Sequence, residues 1–282
     1  MMVHDDQLAG RDFTRLTEFI YSETGIRLGP EKKTMLEGRL KKRLRDLHID
    51  SYRQYCDYLF GHEGLREEKV FFIDVVTTNK TDFFREPKHF DYLAATALPR
   101  MIAMAENQPL LLWSAGCSSG EEPYTLAMVL SEYAEMHPGF RFRILATDIS
   151  TRVLAKAQMA IYPADVAEPV PPLLRRRYLM RSRERDGDRV RIVPELRRLV
   201  EFRRLNFMEA DYGLTEKADA IFCRNVIIYF DRPTQEKILA KLTRQLKPGG
   251  YLFVGHSETL HDMNLPVEPL GPALYRRVDA RG

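Results

Sequence analysis

Apolar residues recur at helical spacing through the first eighty positions and at strand spacing after about position 110. Phe13, Leu16, Phe19 and Ile20 fall on one helix face, and Leu36, Leu40, Leu44 and Leu47 cluster within about 80° on a second at 100° per residue. Gly29-Pro30 separates the two. Proline suits a helix start because its missing N–H would be unpaired there anyway. Tyr52, Tyr55, Cys56 and Leu59 predict a third helix after Asp50-Ser51 that ends near Gly61, and Glu67 to Val76 predict a fourth. Residues 1–78 therefore read as a small helical domain.

After Phe90 short apolar runs alternate with amphipathic helices, the pattern of a parallel α/β sheet. Strands are expected at Leu110 to Trp113, Phe142 to Ala146, Leu199 to Arg203, Ala218 to Cys223, Tyr251 to Val254 and Leu274 to Val278. Helices are expected at Glu121 to Met136, Thr151 to about Ala160, and about Pro233 to Leu246, the last stopped by Lys247-Pro248-Gly249-Gly250. The alternation Val190-Arg191-Ile192-Val193 after the turn Asp186-Gly187-Asp188 predicts an antiparallel insertion, placed at 179–201 within a second domain of 79–282.

A chain of 282 residues that is 44% hydrophobic and 29% charged is an ordinary globular sequence, which excludes disorder, collagen and coiled coil. No apolar run approaches the ~20 residues of a membrane span, and Met-Met-Val-His-Asp-Asp lacks the features of a leader, so a cytoplasmic protein is expected. Cys56, Cys117 and Cys223 are far apart, which fits a reducing compartment and buried packing roles. The net charge of +3 conceals two basic segments. Glu31 to Arg53 holds eight Lys/Arg against four Asp/Glu, and Arg175 to Arg204 holds twelve against five. Such segments suit an acidic partner, whether nucleic acid, anionic lipid or acidic protein, and equally suit solvated helix faces and an Arg-rich strand ladder.

In a doubly wound sheet ligands bind beyond the carboxyl ends of the strands. The first strand runs into Ser114-Ala115-Gly116-Cys117-Ser118-Ser119-Gly120-Glu121-Glu122, and the second ends at Asp148. Glycines let backbone approach a ligand, and a carboxylate at the end of the second strand is placed for the hydroxyls of an adenosine ribose. The spacing is Gly-x-x-x-Gly, not the Gly-x-Gly-x-x-Gly of dinucleotide sites, and two glutamates stand where a pyrophosphate would dock. A ligand with a cationic part matches better, and S-adenosylmethionine is the candidate. Both glutamates also suit the helix dipole, and sequence leaves open which of them faces the ligand.

Thr77-Thr78-Asn79-Lys80-Thr81-Asp82-Phe83-Phe84-Arg85-Glu86 and Ile221-Phe222-Cys223-Arg224-Asn225-Val226-Ile227-Ile228-Tyr229-Phe230 resemble signatures of the CheR family of chemotaxis receptor methyltransferases. The resemblance extends in order through Trp113–Tyr124, Ala146–Ile149, Leu246–Gly250 and Gly255-His256-Ser257-Glu258, nearly the whole chain. It implies a class I S-adenosylmethionine-dependent methyltransferase fold, an α/β doubly wound sheet with an N-terminal helical domain and an inserted antiparallel β subdomain. It also implies methyl transfer to receptor glutamates, with S-adenosylhomocysteine as the other product. Carried over by motif, the cofactor contacts fall on Asn79, Thr81, Arg85, Glu122, Asp148, Asn206, Phe207, Arg224 and Asn225. Arg85 would fork onto the cofactor carboxylate, Glu122 face its amino group, and Asn206 and Asn225 fix the adenine or amino-acid end. Phe207 stands where relatives often have Leu, a change that a backbone contact tolerates. His256 and Glu258 are expected to be structural, with His89 a neighbour of the site.

Tyr229, four residues after Asn225, is the expected catalytic residue, orienting the incoming glutamate through its hydroxyl. Lys32, Arg39 and Arg43 fall within about 40° of one another beside the apolar face of the second helix, a stripe placed to dock an acidic receptor bundle. A receptor C-terminal peptide is a further partner that the hairpin at Gly187 would grip. A monomer is expected, with no membrane insertion and no metal, because no His/Cys/carboxylate cluster has ligand spacing along the chain. A nucleic-acid methyltransferase would use the same fold, but Asn225-Val226-Ile227-Ile228 stands where base amino-methylation has Asp/Asn-Pro-Pro-Tyr/Phe. A non-catalytic adaptor is the other alternative, and the intact cofactor positions oppose it.

Overall fold

The computed structural model describes residues 7–181 and 188–278. Helices come first: α1 (Gly10–Thr24), α2 (Lys33–Asp46), α3 (Tyr52–Leu59), α4 (His62–Glu67) and α5 (Lys69–Val76). α1 stops where Gly25 takes a left-handed φ of 74° and its N–H returns to the Tyr21 carbonyl, a conformation without penalty in a residue lacking Cβ. Ser51 caps α3 by accepting the Gln54 N–H at 3.2 Å. Both predicted stripes turn into one core, which Phe13, Leu16, Ile20, Leu36, Leu40, Leu44, Tyr55, Leu59 and Phe72 close. The segment expected as one helix from Glu67 divides at the buried Glu68, with α4 before it. α4 contains a single large apolar residue, Leu65, which is exposed, so no apolar period announces it.

The chain then forms α6 (Lys88–Tyr92), a π-type turn at Leu93–Ala97 and α7 (Leu98–Met104), a helical run that the sequence pattern left unassigned. The α/β part follows as β1 (Leu110–Ala115), α8 (Glu121–Met136), β2 (Phe142–Asp148), α9 (Thr151–Met159), β3 (Ile161–Pro163), α10 (Pro172–Tyr178), β4 (Leu179–Arg181), β5 (Arg189–Ile192), α11 (Pro194–Arg197), β6 (Val200–Arg204), β7 (Ala218–Cys223), α12 (Arg232–Gln245), β8 (Leu246–Val254), β9 (Val267–Gly271) and β10 (Leu274–Arg277).

Seven strands make the main sheet in the order β6-β2-β1-β7-β8-β10-β9. β6, β2, β1, β7 and β8 are parallel, while β10 pairs antiparallel with β8 and with β9. Ile144, Ala146, Phe222 and Phe253 face one core, and Leu145, Ile221, Cys223 and Leu252 face the other. Burial on both faces is why these strands read as continuous apolar runs. Strand order reverses between β1 and β7, the place where an open α/β sheet leaves a crevice at its carboxyl edge.

The antiparallel insertion starts earlier than expected. Its sheet runs β3-β5-β4, so it recruits Ile161–Pro163, while Val200–Arg204 belongs to the main sheet as an edge strand. Three residues ending in proline are too short to show a strand period. Asp186 and Gly187 of the predicted turn lie outside the described residues. The helical domain is tied to the sheet at several points. Tyr21 donates to Asp231 at 2.7 Å, Thr151 donates to Asp74 at 2.6 Å, and the Arg27 N–H donates to the Tyr229 carbonyl at 3.0 Å.

Candidate active site

A cavity of about 460 Å³ opens at the carboxyl ends of β1, β2 and β7, with the helical domain as its opposite wall. Asn79, Thr81, Arg85, Glu122, Asp148, Asn206, Phe207, Arg224, Asn225 and Tyr229 all line it, as do Lys32 and Arg39; Arg43 does not. Sequence reasoning missed Ile26, Arg27, Leu28 and Met35 on the helical wall. No local pattern could have pointed to them, because they reach the cavity only through contact between domains.

The turn after β1 is built by backbone geometry. Gly116 and Gly120 have φ of 89° and 99°, and a Cβ on Gly116 would meet Val226 at 2.5 Å. The glycine thus admits a neighbouring side chain of the site. The N–H groups of Gly116 and Cys117 donate to the Thr147 carbonyl at 2.8 and 2.9 Å, fastening the turn to the end of β2. There Asp148, buried, accepts the Ser118 N–H on Oδ2 and the Ser150 N–H on Oδ1, each at 2.9 Å. Burial raises its pKa while these backbone donors oppose the rise. Each oxygen retains a lone pair for a ligand hydroxyl.

Of the two glutamates opening α8, Glu122 lines the cavity. Glu121 instead accepts from Ser119 Oγ at 2.8 Å and is buried away from it. Glu122 accepts Ser114 Oγ at 2.6 Å and Arg224 Nη1 at 3.2 Å. Burial pushes its pKa up, with Arg224 the main opposing charge. Arg224 is itself buried and holds a second carboxylate, Glu86, at 3.2 Å, and its guanidinium also donates to the Arg85 carbonyl. Its side chain therefore fixes Glu122 on the cavity wall. Neither Ser114 nor Glu86 stood out in sequence.

Asn225 has a left-handed φ of 58°. Glu258 makes that turn possible by accepting the N–H groups of Asn225 and Ile227 at 2.9 Å and of Gly255 at 2.6 Å. Glu258 is structural, as expected. The Asn225 side-chain oxygen is buried without a hydrogen-bond partner among the described residues, an acceptor on the cavity wall awaiting a donor. Tyr229 stands at the end of the 3₁₀ turn Ile227–Tyr229, and burial raises its pKa against the pull of Arg85 and Arg39.

Family comparison fits this arrangement. Residues 79–272 match the model described as CheR methyltransferase, SAM binding domain, and residues 11–77 match CheR methyltransferase, all-alpha domain. The chain belongs to the CheR methyltransferase family. It is 40% identical to the chemotaxis protein methyltransferase of Borreliella burgdorferi, covering 94% of each chain. It is 40% identical to chemotaxis protein methyltransferase 2 of Pseudomonas aeruginosa, covering 94% of this chain and 92% of that one. Identity to the Salmonella typhimurium protein is 39%, over 95% and 90%. The α/β part is thus the S-adenosylmethionine-binding methyltransferase domain of a CheR enzyme. The residues present fit that cofactor, with two carboxyl groups fixed on the sheet wall, one of them a glutamate where a phosphate would be repelled, and an orphaned amide oxygen beside them.

The Asn206 amide, on the cavity lining, donates one of its two N–H groups to the Glu23 carbonyl at 2.6 Å and accepts the Met208 N–H at 3.0 Å, which joins the domains across the cavity rim. One expectation for this CheR chain changes. The basic stripe of α2 is not a row of free cations. Arg43 pairs with the buried Glu68, its Nε at 2.8 Å, and lies 4.2 Å over the Phe71 ring. Arg39 donates to the Thr77 carbonyl and Thr78 Oγ1, both at 3.1 Å, and to the Val76 carbonyl, closing the C-terminal end of α5. Only Lys32 of the three is exposed at the mouth. Ser118 was also missed: its Oγ donates to the Asn79 carbonyl at 2.8 Å and so sets the linker between the domains.

Proposed function

We propose that this CheR enzyme transfers the methyl group of S-adenosylmethionine to glutamate side chains on the cytoplasmic helical bundle of chemoreceptors, giving methyl esters in chemosensory adaptation. One observation carries this reading: the motif residues of the two domains converge on one cavity, in a chain that matches chemotaxis protein methyltransferases over nearly their full length.

The bound cofactor supplies an electrophilic methyl on sulfonium. Asp148 receives the ribose hydroxyls, Glu122 the amino group and Arg85 the carboxylate, while the Asn225 oxygen takes a donor of the ligand. The receptor glutamate needs no general base, since a side chain with a pKa of ~4.3 is an anion at neutral pH. Its oxygen forms the new bond to carbon as the carbon–sulfur bond breaks and the pair stays on sulfur. The protein must align that oxygen with the bond and keep water away. Tyr229, kept protonated by burial, donates a hydrogen bond that aims the carboxylate. The helical domain walls the cavity opposite the sheet and shields it from solvent on that side. The enzyme works in the cytoplasm as a monomer, on protein and not nucleic acid, and the methyl transfer step uses no metal.

The test supplies methyl-labelled S-adenosylmethionine with receptor-bearing membranes and treats the product with mild base. Release of label as methanol is expected from a carboxyl ester, and label that survives base overturns the reading. Tyr229→Phe should lower kcat roughly tenfold, the worth of one hydrogen bond of about 1.4 kcal/mol, with cofactor affinity unchanged. Wild-type turnover would remove the hydroxyl from the mechanism.

A further inference from the structure

Beyond Arg224, among residues that do not line the cavity, three side chains capable of metal ligation meet. Glu86 and His89 flank the start of α6, and His256 follows β8. Spacing along the chain hides this grouping, which only the fold makes. One ligand atom from each lies within 4.8 Å of the others. His89 Nδ1 stands 3.4 Å from Glu86 Oε2, and the two imidazoles meet edge to face at 5.1 Å. Glu86 is held in place by the His256 N–H on Oε1 at 3.2 Å and by Arg224 Nε and Nη2 on Oε2 at 3.3 and 3.2 Å. Its backbone lies in the left-handed region at φ 55°, which a non-glycine residue adopts only where its surroundings enforce it.

His89 supplies an independent sign of a missing ligand. It is 4% exposed, and neither ring nitrogen has a hydrogen-bond partner among the described residues. A buried imidazole normally pairs both its donor and its acceptor.

We propose that Glu86, His89 and His256 form a zinc site that competes with Arg224 for Glu86 and thereby opposes cofactor binding. Two imidazoles and one carboxylate are a zinc donor set that leaves the fourth position to water. Ligand atoms ~2.0–2.1 Å from one tetrahedral zinc lie roughly 3.4 Å apart, the separation that His89 Nδ1 and Glu86 Oε2 already have. His256 is exposed, so it has the rotamer freedom to complete the set and opens the site to solvent. Glu86 Oε2, the oxygen facing His89, is the one Arg224 holds, and the same guanidinium holds Glu122 on the cavity wall at 3.2 Å. A divalent cation at Glu86 repels Arg224, and Glu122 loses its charged partner and keeps Ser114 alone. This coupling rests on Glu122 being a cofactor contact; the metal site itself does not. By linkage, cofactor and zinc lower each other's affinity by the same factor.

The test titrates chelator-stripped, cofactor-free protein with zinc chloride by calorimetry, using cobalt(II) as the spectroscopic probe of imidazole ligation. One metal per chain at micromolar affinity is expected, weakened at least tenfold in His256→Ala and unchanged in His62→Ala, an exposed histidine of the helical domain. Saturating zinc should raise the Kd for S-adenosylmethionine at least threefold in wild type and leave it unmoved in His256→Ala. Absence of stoichiometric binding, equal binding by His256→Ala, or a cofactor Kd in wild type that zinc does not move would each overturn the proposal. Because the zinc titration precedes cofactor addition, its failure removes the metal site whatever the cofactor does.

Discussion

The two walls of the cavity hold charge in opposite ways. On the sheet wall, Asp148 and Glu122 are fixed by backbone N–H groups, a serine and a buried arginine, and each carboxylate still faces the cavity. In the helical domain, Arg39 on the cavity wall and Arg43 outside it are fixed just as firmly, but by closing their own domain: one on the end of α5, the other on Glu68. The sheet wall holds its carboxylates toward the cavity; the helical domain uses these two arginines to stay folded and leaves Lys32 exposed at the mouth. A basic residue on a predicted helix face is thus weak grounds for a docking role, whereas a carboxylate at the end of a buried strand carries its chemistry in its position.

The largest expected effect breaks this contrast if it fails. Arg43→Glu places a carboxylate against Glu68, whose side chain is 1% exposed, and should destabilise the protein by about 3–5 kcal/mol, the range for breaking a buried ion pair. Chemical denaturation measures it. Unchanged stability combined with slow receptor methylation would return Arg43 to the docking surface. Next, Asp148→Ala should weaken S-adenosylmethionine binding roughly a hundredfold, since two charge-assisted hydrogen bonds at ~1.5 kcal/mol each are lost. Calorimetry giving wild-type affinity would take the sheet wall out of cofactor binding.

Sequence made the sheet wall legible and the helical wall largely opaque. Asp148 ends one apolar strand, Gly116 and Asn225 follow within two residues of others, and Glu122 opens the helix after the first, so local pattern and strand order suffice to bring them together. Ile26, Arg27 and Met35 join the cavity only because the Ile26–Phe230 bridge and the Asn206–Glu23 bond set one domain on the other. Such long-range contacts leave no period in the sequence. Glu68 illustrates the same limit in the core of the helical domain: it reads as one more helix-surface glutamate, yet it anchors Arg43 and Tyr55 from full burial. The run from Phe90 to Met101 did carry buried positions at helical spacing, but its π-type turn shifts the phase midway.

A smaller effect, in pH, sharpens the view of what lies behind the sheet wall. His89 titrates at about 4 in the folded protein against ~6.5 when unfolded, so the unfolded chain binds more protons between those values. Stability contributed by keeping His89 neutral is present above pH ~6.5 and is lost as pH falls toward 4. Between pH 7 and 5.5 the loss should be about 1 kcal/mol. Asp148 and Glu122, with raised pKa values, change stability in the opposite sense, so the informative quantity is wild type minus His89→Gln at each pH. Equal slopes in the two proteins would mean that His89 is not the group sensing acid.

The smallest expected effect tests whether the helical wall keeps any docking role. Lys32 is exposed and lines the mouth, and its ammonium makes no hydrogen bond or ion pair among the described residues, so replacing the side chain removes no polar contact within the domain. A single surface charge acts over a Debye length of ~8–10 Å and changes encounter more than the bound state. Lys32→Glu should therefore raise KM for receptor about threefold at low salt, with kcat, stability and cofactor affinity unchanged, and the difference should vanish as salt is added. A threefold change that persists in high salt would place Lys32 in direct contact with substrate. No change at low salt would leave the basic stripe at α2 and the turn before it without a docking role, and the arginines between Arg175 and Arg204 would then be the next basic surface to test.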